Sequence, residues 1–231
     1  MLRWRGAQRW AESNFVPILA EKTAVPNILL VFLKPPRPGY VKTRLARTLG
    51  DAEALRIYRF LLDTTLATAR QVDAERQLWF AEPPGAYKDW PADEFSLHIQ
   101  TGADLGERMQ EAFRQAFAAG AERTVIIGAD CPELEGEHLR EAFSALAVSD
   151  LVVGPAPDGG YYLLGMRRFC PDLFADIAWS TPTVLALTLE KAAQLGLTVH
   201  FLPELSDIDV EEDWIAYLKK NTPPYKGFKP L

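Results

Sequence analysis

Ile28–Leu33 reads ILLVFL and runs without a break into Lys34–Leu45, KPPRPGYVKTRL. Six consecutive apolar residues have the length of a strand buried on both faces, as in the middle of a parallel sheet. The next twelve residues hold three prolines, one glycine and four cations, Lys34, Arg37, Lys42 and Arg44. Proline and glycine hold such a loop in a stiff, non-helical path, and a loop at the carboxyl end of a parallel strand borders the crevice where ligands bind.

Outward from this point the pattern repeats. Strand candidates follow at Gln77–Ala81, Ser96–Gln100, Thr124–Ala129, Asp150–Gly154, Tyr161–Met166 and Thr198–Leu202. Helical patterns lie between them. Leu55, Tyr58, Leu62, Leu66 and Ala69 recur at three- and four-residue spacing behind Asp51; Leu105, Met109, Ala112, Phe113, Ala116 and Phe117 form a second stripe; Leu139, Phe143 and Leu146 form a third. Ser180-Thr181-Pro182 is expected to open another helix, with a hydroxyl cap and proline in the first turn. Short strands alternating with helices predict an α/β fold with a mostly parallel sheet covered on both faces. One domain is expected over 25–221, with an N-terminal extension over 1–24 and a tail over 222–231.

Composition narrows the function classes. The chain has 231 residues, 48% apolar and 24% charged, with a net charge of -6. No apolar run approaches the ~20 residues of a membrane-spanning helix. An acidic chain is a poor general partner for nucleic acid. Residues 1–24 carry Arg3, Arg5, Arg9, Trp4 and Trp10 but no apolar core of a secretory signal. Cys131 and Cys170 have neither metal-ligand spacing nor disulfide density, so a cytoplasmic location is expected. Oligomeric state is left open.

Five segments could carry chemistry. Lysine as a point charge and arginine as a fork suit a di- or triphosphate at Lys34–Arg44, where Pro38 and Gly39 shape the turn. The same residues also read as a solvated basic loop or a PxxP ligand. Gly102 and Gly106 flank Asp104 in a glycine-spaced entry to a helix that also carries Arg108, either a ligand-approach loop or a simple capped turn. Asp130 follows the fourth strand, where a carboxylate beside an anionic nucleotide needs a divalent cation between them. The acidic run Asp207–Asp213 offers a second ligand or an acid-rich helix start. Asp158-Gly159-Gly160 reads as a tight turn into a strand, or as backbone passing under a sugar beside Tyr161. His98, His138 and His200 stand singly and no GxSxG is present, so neither a zincin nor a hydrolase elbow is supported.

Taken in order, FLKPPRPGYVKTRLA, GADLGERM, IIGADCPEL, LVVGPAPDGGYYLLGM, AWSTPTV and LSDIDVEED resemble the motifs of the DUF2064 family, over roughly Asn27 to Trp214. That family is classed with candidate glycosyltransferases of the GT-A, nucleotide-diphospho-sugar-transferase fold, and some members are named for arsenosugar biosynthesis. The resemblance implies a Rossmann-like α/β/α sandwich, a nucleotide-sugar donor, a small-molecule acceptor and Mg²⁺ or Mn²⁺. It places Lys42 and Arg44 in the phosphate loop, Asp130 and Asp209 on the metal, and Asp158, Gly159 and Gly160 at the sugar-side turn. Lys42, Arg44 and Asp158 are then the catalytic candidates. Lys34, Pro38, Gly39, Gly102, Asp104, Gly106, Arg108, Gly159, Gly160, Tyr161 and Trp179 are the binding candidates, with Tyr161 and Trp179 flanking sugar or acceptor and core packing the competing role for Trp179. A GT-A site carries a D-x-D pair, whereas Asp130-Cys131-Pro132 has one carboxylate. The KTRL loop also resembles nucleotidyltransferases, so nucleotidyl transfer and a non-catalytic nucleotide-binding role stay open beside glycosyl transfer.

Overall fold

The structure is a computed structural model and describes residues 27–84 and 90–221. The extension expected over 1–24 and the tail over 222–231 lie outside the described residues. Element order is β1 (Asn27–Leu33), α1 (Thr43–Leu49), α2 (Asp51–Ala69), β2 (Glu75–Phe80), β3 (Ser96–Ile99), α3 (Leu105–Ala118), β4 (Arg123–Ile127), α4 (Gly136–Ala145), β5 (Leu151–Pro155), β6 (Tyr161–Met166), α5 (Val184–Gln194), β7 (Val199–Phe201) and α6 (Glu211–Lys220), with a short 3₁₀ helix at Pro171–Phe174.

The seven strands form one sheet in the order β3-β2-β1-β4-β6-β5-β7. Pairings β1·β2, β1·β4, β2·β3 and β5·β7 are parallel, and β6 runs antiparallel to both its neighbours. This is the expected α/β class, a Rossmann-like three-layer sandwich. The single reversed strand follows from the Asp158–Gly160 turn, too short for a crossover, which folds β6 back onto β5 as a hairpin. β1 shows why its sequence reads as continuous apolar. Leu29, Val31 and Leu33 pack on one face with Leu62, Leu66 and Phe143, while Ile28 and Leu30 pack on the other with Met109, Phe113 and Leu164. Each such side chain contributes about 1.5–3 kcal/mol by leaving water.

Strand order reverses at β1, which is flanked by β2 on one side and β4 on the other. The connection through α2 packs on one face of the sheet and α3 on the opposite face. A crevice therefore opens outside the carboxyl ends of β1 and β4.

Two expectations need correction. The loop after β1 is not irregular to Leu45, because α1 starts at Thr43. The helix expected from Ser180 begins only at Val184. Ser180 has φ 61, a left-handed conformation that a helix cannot contain, and the Thr181 hydroxyl donates to Ala178 O at 2.7 Å instead of capping the helix.

Candidate active site

The loop from β1 is anchored before it reaches the crevice. The Tyr58 hydroxyl, on α2, accepts the Lys34 N–H at 3.0 Å and donates to the Lys34 carbonyl at 2.8 Å. Burial, and then the charge of Asp130, push the Tyr58 phenol above its ordinary range, so it stays protonated in this clamp. The tip turns at Pro38-Gly39, with the Tyr40 N–H donating to Arg37 O at 3.2 Å and Gly39 at φ 71. Arg37 leaves the crevice to pair with Glu82 and stack on Tyr40.

Lys42 then enters the left-handed region, φ 48 and ψ 46, as the residue preceding α1. For a residue with a Cβ this costs about 1–2 kcal/mol and needs compensation. The compensation is visible at the other end of the side chain, which is only 5% exposed. Its ammonium lies 2.7 Å from Asp130 Oδ1 and 3.1 Å from Asp209 Oδ1. Burial alone would lower the Lys42 pKa, but the two carboxylates outweigh it and hold the pKa above the usual lysine value. Arg44, two residues further and well exposed, reaches Asp209 Oδ2 at 3.3 Å.

The two aspartates come from segments 79 residues apart in sequence, tied by a hydrogen bond from the Ile208 N–H to Asp130 O at 2.9 Å. Because one ammonium touches both, their nearest oxygens are no farther apart than the sum of those contacts. This is within the ~10 Å beyond which one ion with ~2.1 Å ligand distances could not serve both. Ile208 is buried, while Asp207 and Asp209 on either side of it both line the crevice. A D-x-D pair thus faces the crevice from the loop after β7 rather than from the one after β4. Burial, and then the charge of Asp130, push the Asp207 carboxyl up to about 7. Asp213 serves α6 instead, accepting the Asp209 and Val210 N–H groups at 2.9 Å each.

These groups border a cavity of about 500 Å³ that runs along the carboxyl edge from β3 to β6. Of the residues expected in a site, Lys34, Lys42, Arg44, Arg108, Asp130, Asp209 and Tyr161 line it. Tyr58, Gln100, Leu105 and Asp207 line it as well and were not singled out as site residues from sequence. The alternation Asp207-Ile208-Asp209 was a readable signal for Asp207; nothing local marks Tyr58, whose role depends on a loop 24 residues away.

Pro38, Gly39, Gly102, Asp104, Gly106, Asp158, Gly159, Gly160 and Trp179 are not in the lining, and most have a local structural task. Asp104 caps α3, accepting the Glu107 N–H at 2.9 Å. A Cβ on Gly102 would meet the Arg108 backbone nitrogen at 2.8 Å, and one on Gly106 would meet the Trp179 indole nitrogen at 2.0 Å. Trp179 thus packs on α3, stacked on Phe174 with ring centroids 6.2 Å apart. Asp158 is exposed and accepts the Gly160 N–H at 2.9 Å. Cys131 is buried and its thiol is pushed up by that burial, which suits packing rather than nucleophilic work.

No group of three or more His, Cys, Asp or Glu side chains placed to hold a metal occurs among the described residues. No described helix is long and apolar enough to cross a membrane.

Similarity to known proteins agrees with this architecture. A candidate nucleotide-diphospho-sugar transferase from Desulfovibrio desulfuricans superposes with a TM-score of 0.81 at 33% identity, covering 86% of this chain and 89% of that one. More distant solved structures share the fold. A nucleotidyl transferase from Methanothermobacter has a TM-score of 0.55 at 15% identity, covering 84% of this chain and 99% of its own. Mycobacterium tuberculosis Rv0371c in complex with manganese has a TM-score of 0.53 at 17% identity, covering 84% and 99%. Among curated proteins none matches at a significant level. The model of the family described as "uncharacterized protein conserved in bacteria" (DUF2064) matches residues 64–181, half of the chain, and with the Desulfovibrio relative this shows that the chain belongs to the DUF2064 family.

Proposed function

We propose that the protein is a divalent-metal-dependent glycosyltransferase that moves a sugar from a nucleoside-diphosphate donor to a small-molecule acceptor. The observation that carries this reading is the Lys42 ammonium held between Asp130 and Asp209, with Arg44 beside it, at the strand-order reversal. Cations and carboxylates at one point match a ligand set of opposite composition: phosphate for Lys42, Arg44 and Lys34, and a hard cation for Asp130 and Asp209.

The donor set fits such an ion. Two half-exposed carboxylates supply oxygen ligands, which Mg²⁺ or Mn²⁺ accepts while keeping its remaining positions for phosphate and water. Asp130 and Asp209 would hold it, and when bound it neutralises charge on the diphosphate. Lys42, released from the carboxylates, would follow its charge preference to the phosphate oxygens, and Arg44 would add a fork. Both contacts strengthen as negative charge builds on the leaving diphosphate, so they lower the barrier rather than merely tightening binding. Tyr161 lies at the β6 side of the cavity, where its ring can face the sugar or acceptor.

A second reading, nucleotidyl transfer, is favoured by one feature. The β1 loop and the first turn of α1 bring three cations to the cavity, Lys34, Lys42 and Arg44, enough for a triphosphate. Products separate the two. With Mn²⁺ and a panel of nucleotide sugars and nucleoside triphosphates plus candidate acceptors, the proposal expects nucleoside diphosphate release from the former. Pyrophosphate release from triphosphates would assign the second reading. Binding without turnover of either would leave a nucleotide-binding protein, against both.

A further inference from the structure

The cavity is much longer than its charged centre. Lys42, Asp130 and Asp209 gather at the ends of β1 and β4, while the same space continues over Ala81 at the end of β2 to Gln100 at the end of β3. Two strand spacings separate the ends of β1 and β3, roughly 10 Å. That is about the reach from a diphosphate, through a ribose, to a base.

The far end has a different chemistry. Leu105, 43% exposed, presents an apolar surface to it. Arg108 also lines it, and its Nε donates to Gly102 O at 3.1 Å. Close packing of Gly102 on the first turn of α3 fixes that carbonyl. Among the described residues the terminal nitrogens of Arg108 have no hydrogen-bond or carboxylate partner, unlike those of Arg37 and Arg44. The guanidinium is therefore held at its base and leaves donors for a ligand. Gln100 complements it. Its Nε2 donates to Trp79 O at 2.8 Å, which orients the amide and leaves Oε1 as an acceptor with no partner among the described residues.

We infer that Gln100 and Arg108 form a nucleobase subsite that selects bases presenting a ring carbonyl beside a ring N–H, with Arg108 donating to the carbonyl and Gln100 Oε1 accepting the N–H. Guanine and uracil present that edge. Adenine and cytosine present an amino group beside a bare ring nitrogen, which sets donor against donor and acceptor against acceptor. Leu105 supplies the apolar face against the base plane. The inference rests on the nucleotide reading above and adds to it the base class, which the phosphate loop does not specify.

The test measures affinities of the full chain with Mn²⁺ for GDP, UDP, ADP, CDP and inorganic pyrophosphate, and repeats them with Gln100→Leu and Arg108→Leu after confirming that each variant melts cooperatively. GDP or UDP binding at least tenfold tighter than ADP and CDP is expected, and the GDP and UDP arms tell which ring size the cavity takes. Both variants should bring GDP to within about threefold of ADP, and UDP to within about threefold of CDP, while pyrophosphate affinity stays within twofold. Equal binding of all four by the unaltered protein overturns the subsite but leaves the nucleotide reading standing. Equal losses for pyrophosphate and every nucleotide in Arg108→Leu make Arg108 a phosphate ligand and overturn it too. Absence of binding by all five ligands removes the nucleotide reading itself. If Arg108→Leu fails to fold, the unaltered protein's selectivity and the Gln100→Leu result decide alone.

Discussion

Lys42 shows how a residue can be costly to its backbone and still be kept in place by its side chain. Its left-handed conformation and its two ion pairs are one arrangement, since the φ of 48 aims a 5% exposed side chain at the gap between Asp130 and Asp209. Lys42→Ala should weaken nucleotide affinity at least tenfold, the loss of a charge-assisted contact worth about 1.5–3 kcal/mol. Arg44→Ala should cost less, because that side chain is 62% exposed and screened by solvent. Titration calorimetry with a nucleoside diphosphate and Mn²⁺ checks both, and unchanged affinity in both variants would remove the loop from the site. Asp150, at the opposite edge of the sheet, tests the electrostatics away from it. The Thr198 N–H at 2.9 Å, the Thr198 hydroxyl at 2.8 Å and then Arg167 hold its carboxyl down at about 2. A depressed carboxylate pKa stabilises the fold above the unfolded value near 4, and that stabilisation is lost as pH falls toward about 2. Asp150→Asn should therefore cost about 1–3 kcal/mol at pH 7, shrinking toward nothing near pH 2, in denaturant unfolding followed across pH. A loss that stays constant with pH would reject the ionic account.

At the level of elements, the question is what seats α3 beside the segment that precedes α5. Gly106 lies against the Trp179 indole so closely that a methyl group would sit 2.0 Å from its nitrogen. Gly106→Ala should destabilise the protein by about 1–3 kcal/mol through overpacking, and in a Trp179→Ala background the same Gly106→Ala change should be nearly harmless. Additive losses in thermal unfolding of the double variant would show that the contact does not set the seating. The same pair shows what was legible in sequence. All seven strands were readable, six with bounds one or two residues off, because runs such as Leu29–Val31 are buried on both faces and say so in composition. The glycines of GADLGERM and PDGG were readable as special positions but not as to why. Gly106 and Gly159 yield to Trp179 and to the Pro182 carbonyl, partners more than 20 residues away that no local pattern names. α1 was missed for a related reason, since the prolines before it signal an irregular path while the helix begins only after the left-handed turn at Lys42.

For the whole molecule, the site joins pieces that are distant in sequence but lead into helices packed on the same face of the sheet as α2. Lys42 precedes α1, Asp130 follows β4, and Asp209 precedes α6; the ion pairs, the Ile208 to Asp130 bond and the packing of Leu45 with Ile208 and Trp214 hold these ends together. Lys42 satisfies the two carboxylates, so a divalent ion arriving alone must displace a buried ammonium that has nowhere favourable to go. A nucleoside diphosphate arriving alone brings its charge next to Asp130 and Asp209. Together each removes the other's obstacle: the phosphate receives Lys42, and the ion receives the carboxylates. Binding should accordingly be cooperative, with Mn²⁺ or nucleotide alone shifting the melting temperature little. Both together, at about a hundredfold excess over their joint dissociation constant, should add about 2.7 kcal/mol of stability. For a domain of this length that is roughly 5–11 °C. Asp130→Asn should abolish the joint shift, and Asp209→Asn should reduce it, while neither variant loses its own cooperative melt. Shifts that simply add, or a joint shift that survives chelation by EDTA, would show that metal and nucleotide do not share these carboxylates and this lysine.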